Sequence, residues 1–437
     1  MSTPVSGSLP SARAKRPLRI ALYEPSGRGG ICHYTYQLAE ALSRRGCDVT
    51  VVTPESWELA HLPRTFRVRF VARRSILGHV LGRIRRRRAA RPAEGSKIPE
   101  PPAARSSRLF SWLNETRRRL QLALMTAGIA MRRFDVVHVH SIGLGSETRL
   151  VRLFRALGLP VVCTAHEALP HERPSDEDLR DLGALYGSVT RLIVHAERTR
   201  DELVRLFAVE PRKIDVVPHG SYDFLFPAGR IPREAARARL GLPATRPIVL
   251  FFGLIRRYKG LEYLAEAFAR IERELPDAML AVVGDVFRGD AEGHAHYSRL
   301  LSDLARRPNV HRIAGYVSLE SMSLHLSAAD VVVLPYLQTS QSGVLLAAFA
   351  AGRPVVVTDT GGLSETVTDG STGLVVPARD PEALAGAILR ILESPETAEA
   401  MGRNSAREAD TTYSWDRIAA RTADLYASAI SGRRAAR

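Results

Sequence analysis

The chain has 437 residues, 45% hydrophobic and 25% charged, a globular composition with length for two or three domains. No apolar run reaches the roughly 18 residues that a membrane span needs, and three scattered cysteines, Cys32, Cys47 and Cys163, form no metal motif and point to a reducing, cytoplasmic compartment. The net charge of +16 resides in one block, because from Arg64 to Arg133 nineteen Arg and Lys stand against three acids, which points to a local anionic partner and away from a nucleic-acid reader.

Residues 1–16 read as a disordered tail, with no apolar segment before Leu18 that would make a secretory leader. Leu18–Tyr23 reads as a buried parallel strand, Gly27-Arg-Gly-Gly30 as a turn, and Tyr34–Arg45 as a helix closed by Gly46. Strands are expected at Val49–Thr53, Phe66–Val71, Asp135–His140, Pro160–Thr164 and Arg191–His195. Residues 225–246 read as a linker with one short helix, after which the pattern restarts. Pro247–Phe252, Met279–Val283, Val310–Ile313, Val331–Pro335, Pro354–Thr358 and Gly373–Val376 are expected strands; Gly260–Arg273 and Pro381–Leu392 are expected helices. Repeated strand–turn–helix units predict an α/β chain with two Rossmann-like domains facing a cleft, 17–224 and 247–411. The first domain carries the basic insertion at about 73–133.

In such sheets ligands bind beyond the carboxyl ends of the strands. Four turns there carry candidate chemistry. Ser26-Gly-Arg-Gly-Gly30 suits either close backbone approach to an anion or a tight turn alone. Gly253-Leu-Ile-Arg-Arg-Tyr-Lys-Gly260 places Arg256 and Lys259 beside a helix start, where charge and backbone donors suit a diphosphate. Gln338-Thr-Ser-Gln-Ser-Gly343 suits a phosphate or sugar, or else is an N-cap through Ser342 or Thr339. Gly361-Gly-Leu-Ser-Glu365 follows the next strand. In the first half, Thr164-Ala-His166-Glu167 ends a strand at the cleft, where His166 either serves a reacting sugar or satisfies a carbonyl. His138 and His140 are expected to leave one side chain buried. Asp176-Glu-Asp178 after Ser175 reads as a helix start with an acidic first turn and not as a metal site.

The order of these pieces resembles the retaining, two-domain glycosyltransferases of the GT-B fold, family 4, from Leu18 to Ile418. The pieces include FDVVHVHS (134–141), VVCTAHE (161–167), FFGLIRRYKGLEYLAEAF (251–268), SAADVVVLPY (327–336) and DGSTGLVVPARDPEALAGAI (369–388). The resemblance implies that His166, Arg256 and Lys259 are catalytic. It implies that Gly29, Gly30, Gly253, Gly284, Tyr316, Ser340, Gln341, Ser342, Gly343, Val344 and Glu365 bind the donor. It also implies that 412–437 carries a helix crossing back to the first domain. Two departures stand out: Thr339 and Ala347 occupy the positions of the family's paired Glu, and Leu254 that of its usual Arg.

The implied activity is hexosyl transfer with retention, from a nucleotide-sugar donor to a glycan or lipid-linked acceptor in cell-envelope or exopolysaccharide synthesis. No metal or other cofactor is expected. The alternative is a GT-B partner protein that binds nucleotide sugar without turnover. Arg64–Arg133, with Ile76, Leu81, Leu109, Phe110 and Trp112 interleaved among its arginines, suits peripheral docking on an anionic inner membrane face.

Overall fold

The computed structural model describes residues 16–71, 134–141, 145–170, 174–315 and 317–435. The expected tail, most of the basic insertion and Tyr316 therefore lie outside the described residues. The first half contains β1 (Arg19–Tyr23), α1 (Gly30–Arg44), β2 (Asp48–Pro54), β3 (Arg67–Val71), β4 (Val136–Ser141), α2 (Gly145–Ala156), β5 (Val161–Ala165), α3 (Asp176–Ser188), β6 (Arg191–Val194), α4 (Glu197–Phe207) and β7 (Ile214–Val216). After α5 (Arg233–Leu240) come β8 (Ile248–Phe252), α6 (Leu261–Glu274), β9 (Met279–Val283), α7 (Ala291–Leu304), β10 (Val310–Ile313), α8 (Leu319–Ala328) and β11 (Val331–Leu334). The chain continues through α9 (Gly343–Ala350), β12 (Val355–Thr358), α10 (Leu363–Thr366), β13 (Gly373–Val376), α11 (Pro381–Leu392), α12 (Pro395–Asp410) and α13 (Trp415–Ala435).

These strands form two all-parallel sheets, in the orders β3-β2-β1-β4-β5-β6-β7 and β10-β9-β8-β11-β12-β13. The order reverses direction beside β1 in the first and beside β8 in the second, so each sheet has the switch point at which a doubly wound fold opens a crevice. Helices cover both faces. That is why β5, β8 and β9 are buried at every position and read as unbroken apolar runs.

Three packing features shape the cleft. Residues 225–246 are docked, not free: Arg233 and Arg237 of α5 both bind Asp330, at 2.7 and 2.5 Å, and Asp330 also accepts from Ile248 N at 2.6 Å. Helix α13 packs on the first sheet, with Trp415, Ile418, Tyr426 and Ala429 in one core with Ile20, Leu22, Leu38 and Val49. His138 and His140 are both fully buried, contrary to the expectation of one, because positions two apart on a strand share a face.

Candidate active site

The carboxyl ends of the two sheets meet across a cleft. In the second half, β8 ends at Gly253, whose φ is +104°; a Cβ there would stand 2.8 Å from Lys259 Nζ and 3.6 Å from Val344 Cγ2. Lys259 is 6% exposed, its ammonium donates to Phe252 O at 3.4 Å, and it lies 5.1 Å from the Tyr336 ring centroid. An ammonium has three N–H donors. Among the described residues no carboxylate lies within ion-pair distance of this one. Glycine 253, Lys259 and the first turn of α9 thus gather a fixed positive charge and backbone donors at one point.

Arg256 goes elsewhere. Its guanidinium stacks 3.7 Å from the Phe287 centroid and lines a cavity of about 750 Å³ with Arg257, Tyr258, Gly289 and Tyr297. The two cations expected to act as a pair thus lie over different rings, Phe287 and Tyr336. Gly284, at φ +136°, has room for no side chain: a Cβ would lie 2.2 Å from Gly253 O, so this glycine lets the ends of β8 and β9 close on each other.

The 339–344 segment has the N-cap geometry foreseen as one of its two readings. Ser342 Oγ accepts from Leu345 N at 3.5 Å, and Thr339 Oγ1 donates to Gln341 O at 2.7 Å. Ala347 is fully buried in the core. Gln341 Oε1 is buried with no hydrogen-bond partner among the described residues. Gly343 lies against the Tyr222 hydroxyl, which a Cβ would meet at 2.4 Å, and Gly30 faces the same hydroxyl from α1 at 3.7 Å. The N–H of Ser340, expected to face the donor, donates instead to Glu167 Oε2 across the cleft at 2.9 Å, and Ala168 N donates to Ser340 Oγ at 3.3 Å.

The first glycine turn is held by acids. Glu24 accepts from Ser26 N at 2.7 Å and Gly27 N at 2.9 Å, and Glu58 accepts from Gly29 N at 2.7 Å. The amide of Gly29 is therefore already engaged by a carboxylate, as in the tight-turn reading of this segment. Glu365 is also used differently from the expectation at the donor. Its two oxygens accept from Glu197 N and Arg198 N at 2.7 and 2.8 Å, capping α4 of the opposite half, where a carboxylate is favoured by the exposed amides.

His166 lies in a cluster that the sequence did not reveal. Tyr34 is ringed by His140, His166, His195, His219 and Trp415, with centroids 4.9–5.4 Å away. The hydrogen bonds fix the tautomers by elimination. His195 Nδ1 must donate to Val217 O, 2.9 Å away, because a carbonyl only accepts. Its Nε2 then accepts from His166 Nδ1 at 3.2 Å, and His166 Nε2 accepts from His140 Nδ1 at 3.3 Å. His140 Nε2 is left bare and buried. Desolvation holds these rings neutral, pushing His195 down to about 4 and His166 and His140 well below the usual histidine value, with neighbouring histidines adding to the last two. Both nitrogens of His166 are committed to this chain. The His138 ring is joined to Tyr426 Oη at 2.6 Å and Thr164 Oγ1 at 2.7 Å.

Asp176-Glu-Asp178 is a helix start: Ser175 and Asp178 form a reciprocal capping box, with Ser175 N donating to Asp178 Oδ2 at 2.9 Å.

Two family profiles match, one described as Glycosyltransferase Family 4 over residues 28–221 and one as Glycosyl transferases group 1 over 246–394. A D-inositol 3-phosphate glycosyltransferase of Kineococcus radiotolerans is 30% identical over 94% of this chain and 92% of its own length. The chain belongs to glycosyltransferase family 4. The family 4 enzyme is a transferase of GT-B fold. A second protein of the same name, from Streptomyces coelicolor, is 36% identical over 56% of both chains. Among solved structures, sucrose-phosphate synthase from Thermosynechococcus elongatus matches with TM-score 0.71 and 25% identity, over 95% of this glycosyltransferase and 100% of that chain. HepE from Anabaena in complex with UDP-glucose matches with TM-score 0.71 and 16% identity over 94% and 99%, a likeness of fold.

Proposed function

We propose that this glycosyltransferase moves a sugar from a nucleotide-sugar donor to a glycan or lipid-linked acceptor with retention, in cell-envelope or exopolysaccharide synthesis. The observation that carries the donor reading is the buried Lys259 ammonium beside Gly253 and the first turn of α9. A fixed cation and helix amides there would stabilise the charge that develops on a departing diphosphate without reorganisation, the work a metal ion does in other transferases. Arg256, set over Phe287, is assigned to the far side of the donor. His166, neutral and tied at both nitrogens, is assigned the wall beside the transferred sugar, with no proton to give or take. The names of the relatives favour a second acceptor class, a small phosphorylated polyol.

The test is a panel of UDP-, GDP- and ADP-sugars, each with its diphosphate, read by thermal shift and by transfer or hydrolysis. A ligand at 100 times its Kd adds about 2.7 kcal/mol to the native state. One sugar nucleotide should bind and turn over, with activity intact in EDTA. Binding without turnover, no binding at all, or complete loss in EDTA with rescue by magnesium would each reject the proposal in part or whole.

The acceptor proposal has its own check. If the arginine block docks on a membrane, each Lys or Arg near an anionic surface contributes about 1 kcal/mol, screened within about 10 Å at 0.1 M salt. Binding to liposomes should require anionic lipid and fall steeply with salt, without vanishing, because the interleaved apolar residues are insensitive to salt. Changing Arg85–Arg88 to Ser should remove most of it and leave donor binding intact. Indifference of the unaltered protein to anionic liposomes at low salt would leave the small polyol as the better acceptor.

Among the described residues no helix is long and apolar enough to cross a membrane.

A further inference from the structure

A second cavity, of about 460 Å³, opens between the two halves beyond β5 and β11. Its walls are mostly polar and come from both sides: Glu167, Arg198 and Arg205 from the first half, Thr339, Ser340 and Thr360 from the second. Its volume is that of a small-ligand pocket, and beside Leu169 and Leu337 its lining is carboxylate, guanidinium, hydroxyl and amide groups. Carboxylate, guanidinium, hydroxyl and amide groups in a space of this size match one ligand chemistry, a ring bearing several hydroxyls. A carboxylate accepts from two hydroxyls at once, whereas guanidinium groups donate to their oxygens.

Glu167 is the fixed member of this set. It follows His166 at the end of β5, and one of its oxygens is anchored by Ser340 N at 2.9 Å. The neighbouring Ala168 N bonds Ser340 Oγ, so residues 167–168 and 340 are joined in both directions. From the other side, Gly361 presses on the same segment so closely that a Cβ would overlap Thr339 O, at 1.5 Å. The carboxylate is therefore pre-oriented, and little rotamer freedom is lost when it binds a hydroxyl. Burial pushes its carboxyl up to about 7, opposed by hydrogen bonds from Ser340 and Thr339 and reinforced by Glu202.

The segment that leads from this carboxylate to Lys259 is short. Ser340 is four residues from Val344, and even a fully extended chain covers at most about 14 Å over that length. A sugar joined to a diphosphate held at Lys259 would extend along this segment. We infer that Glu167 reads the hydroxyl groups of the transferred sugar, supplying from the first half of the molecule a carboxylate that the facing position, Thr339, does not provide.

This inference rests on the donor reading above, and the experiment separates the two. Calorimetry on the full chain uses UDP-glucose, UDP-N-acetylglucosamine, GDP-mannose and ADP-glucose, each beside its own diphosphate. For the donor that binds, the sugar nucleotide should bind more tightly than the diphosphate. In Glu167→Gln that margin should shrink tenfold or more, while diphosphate affinity stays within twofold. A group that only ties the two halves together would weaken both ligands alike. Glu167→Ala combined with Thr339→Glu, which returns a carboxylate from the opposite wall, should recover part of the margin. The diphosphate affinity of each variant reports that it is folded. If Glu167→Gln keeps the full margin, the assignment of Glu167 is overturned and the donor reading stands. If none of the four pairs binds the unaltered protein, the donor reading fails and this inference falls with it.

Discussion

The protein should lose stability steeply as the pH falls from about 6 towards 4. Five histidines, His138, His140, His166, His195 and His219, are held neutral in the folded first half, chiefly by burial. Their folded values lie far below the ordinary 6.5, with His138 and His219 at about 3 and His195 at about 4. In the unfolded chain all five accept protons near 6.5. Below that pH the unfolded state binds more protons than the native state, so stability rises with pH; equivalently, it drains away on acidification. The contribution is complete above about pH 6.5 and is lost progressively down to the folded values. Each such histidine is worth up to about 1.4 kcal/mol per pH unit. Glu167 acts in the opposite sense, because its folded value, about 7, lies above the unfolded one and the native state holds its proton over part of this range. The histidines outnumber it, so the net slope keeps the sign of the histidine contribution. Against a total stability of about 5–15 kcal/mol for ordinary proteins, a contribution shared by five buried rings should lower the melting temperature clearly on acidification. Thermal melts at pH 7.5, 6 and 5 would show it. A melting temperature that stays level from pH 7 to pH 5 would mean that these rings are solvated and that the neutral chain through His166 does not exist.

The strands were legible because both faces of each sheet are covered. A parallel strand buried on two sides must be apolar throughout, and runs such as Val331–Leu334 and Ile248–Phe252 can hardly be anything else. The cap at Ser175 was legible for a local reason: a hydroxyl followed three residues later by an acid satisfies two helix amides without help from the rest of the chain. The contacts across the cleft were not. Glu365 caps a helix 168 positions away, and Glu167 meets Ser340 at a separation of 173. No periodicity or spacing encodes such pairs, which depend on how two separate sheets face each other. The histidine chain lies between these cases. The shared face of His138 and His140 follows from strand geometry. Its continuation through His166 and His195, one residue past the ends of strands adjacent in the sheet but far apart in sequence, needs the order β4-β5-β6. The glycine turn at 26–30 shows the converse limit. Its glycines are readable, but the acids that occupy its amides, Glu24 and Glu58, precede and follow it without forming any motif.

Lys259→Ala should weaken binding of the cognate nucleoside diphosphate by about 10- to 100-fold. A hydrogen bond from a charged group is worth about 1.5–3 kcal/mol, and the upper part of that range applies where water is excluded, as around this 6%-exposed side chain. The loss should be specific to binding. Lys259 takes part in no described ion pair, and its one hydrogen bond, to Phe252 O, is long at 3.4 Å, so truncation strands no buried charge. The melting temperature of the unliganded variant should therefore stay close to that of the unaltered protein, while its ligand-induced shift shrinks. Arg256→Ala supplies the contrast. Its guanidinium sits over Phe287 and lines a cavity whose walls do not include Lys259, so its removal should cost diphosphate affinity less than removal of Lys259 does. Lys259→Arg should not restore affinity. The larger planar group does not fit where Gly253 leaves only 2.8 Å between a would-be Cβ and the ammonium. Calorimetry with UDP, GDP and ADP on the three variants decides the matter. Equal affinities in Lys259→Ala and the unaltered protein would remove this lysine from the donor site, and with it the argument that a protein cation stands where other transferases place a metal.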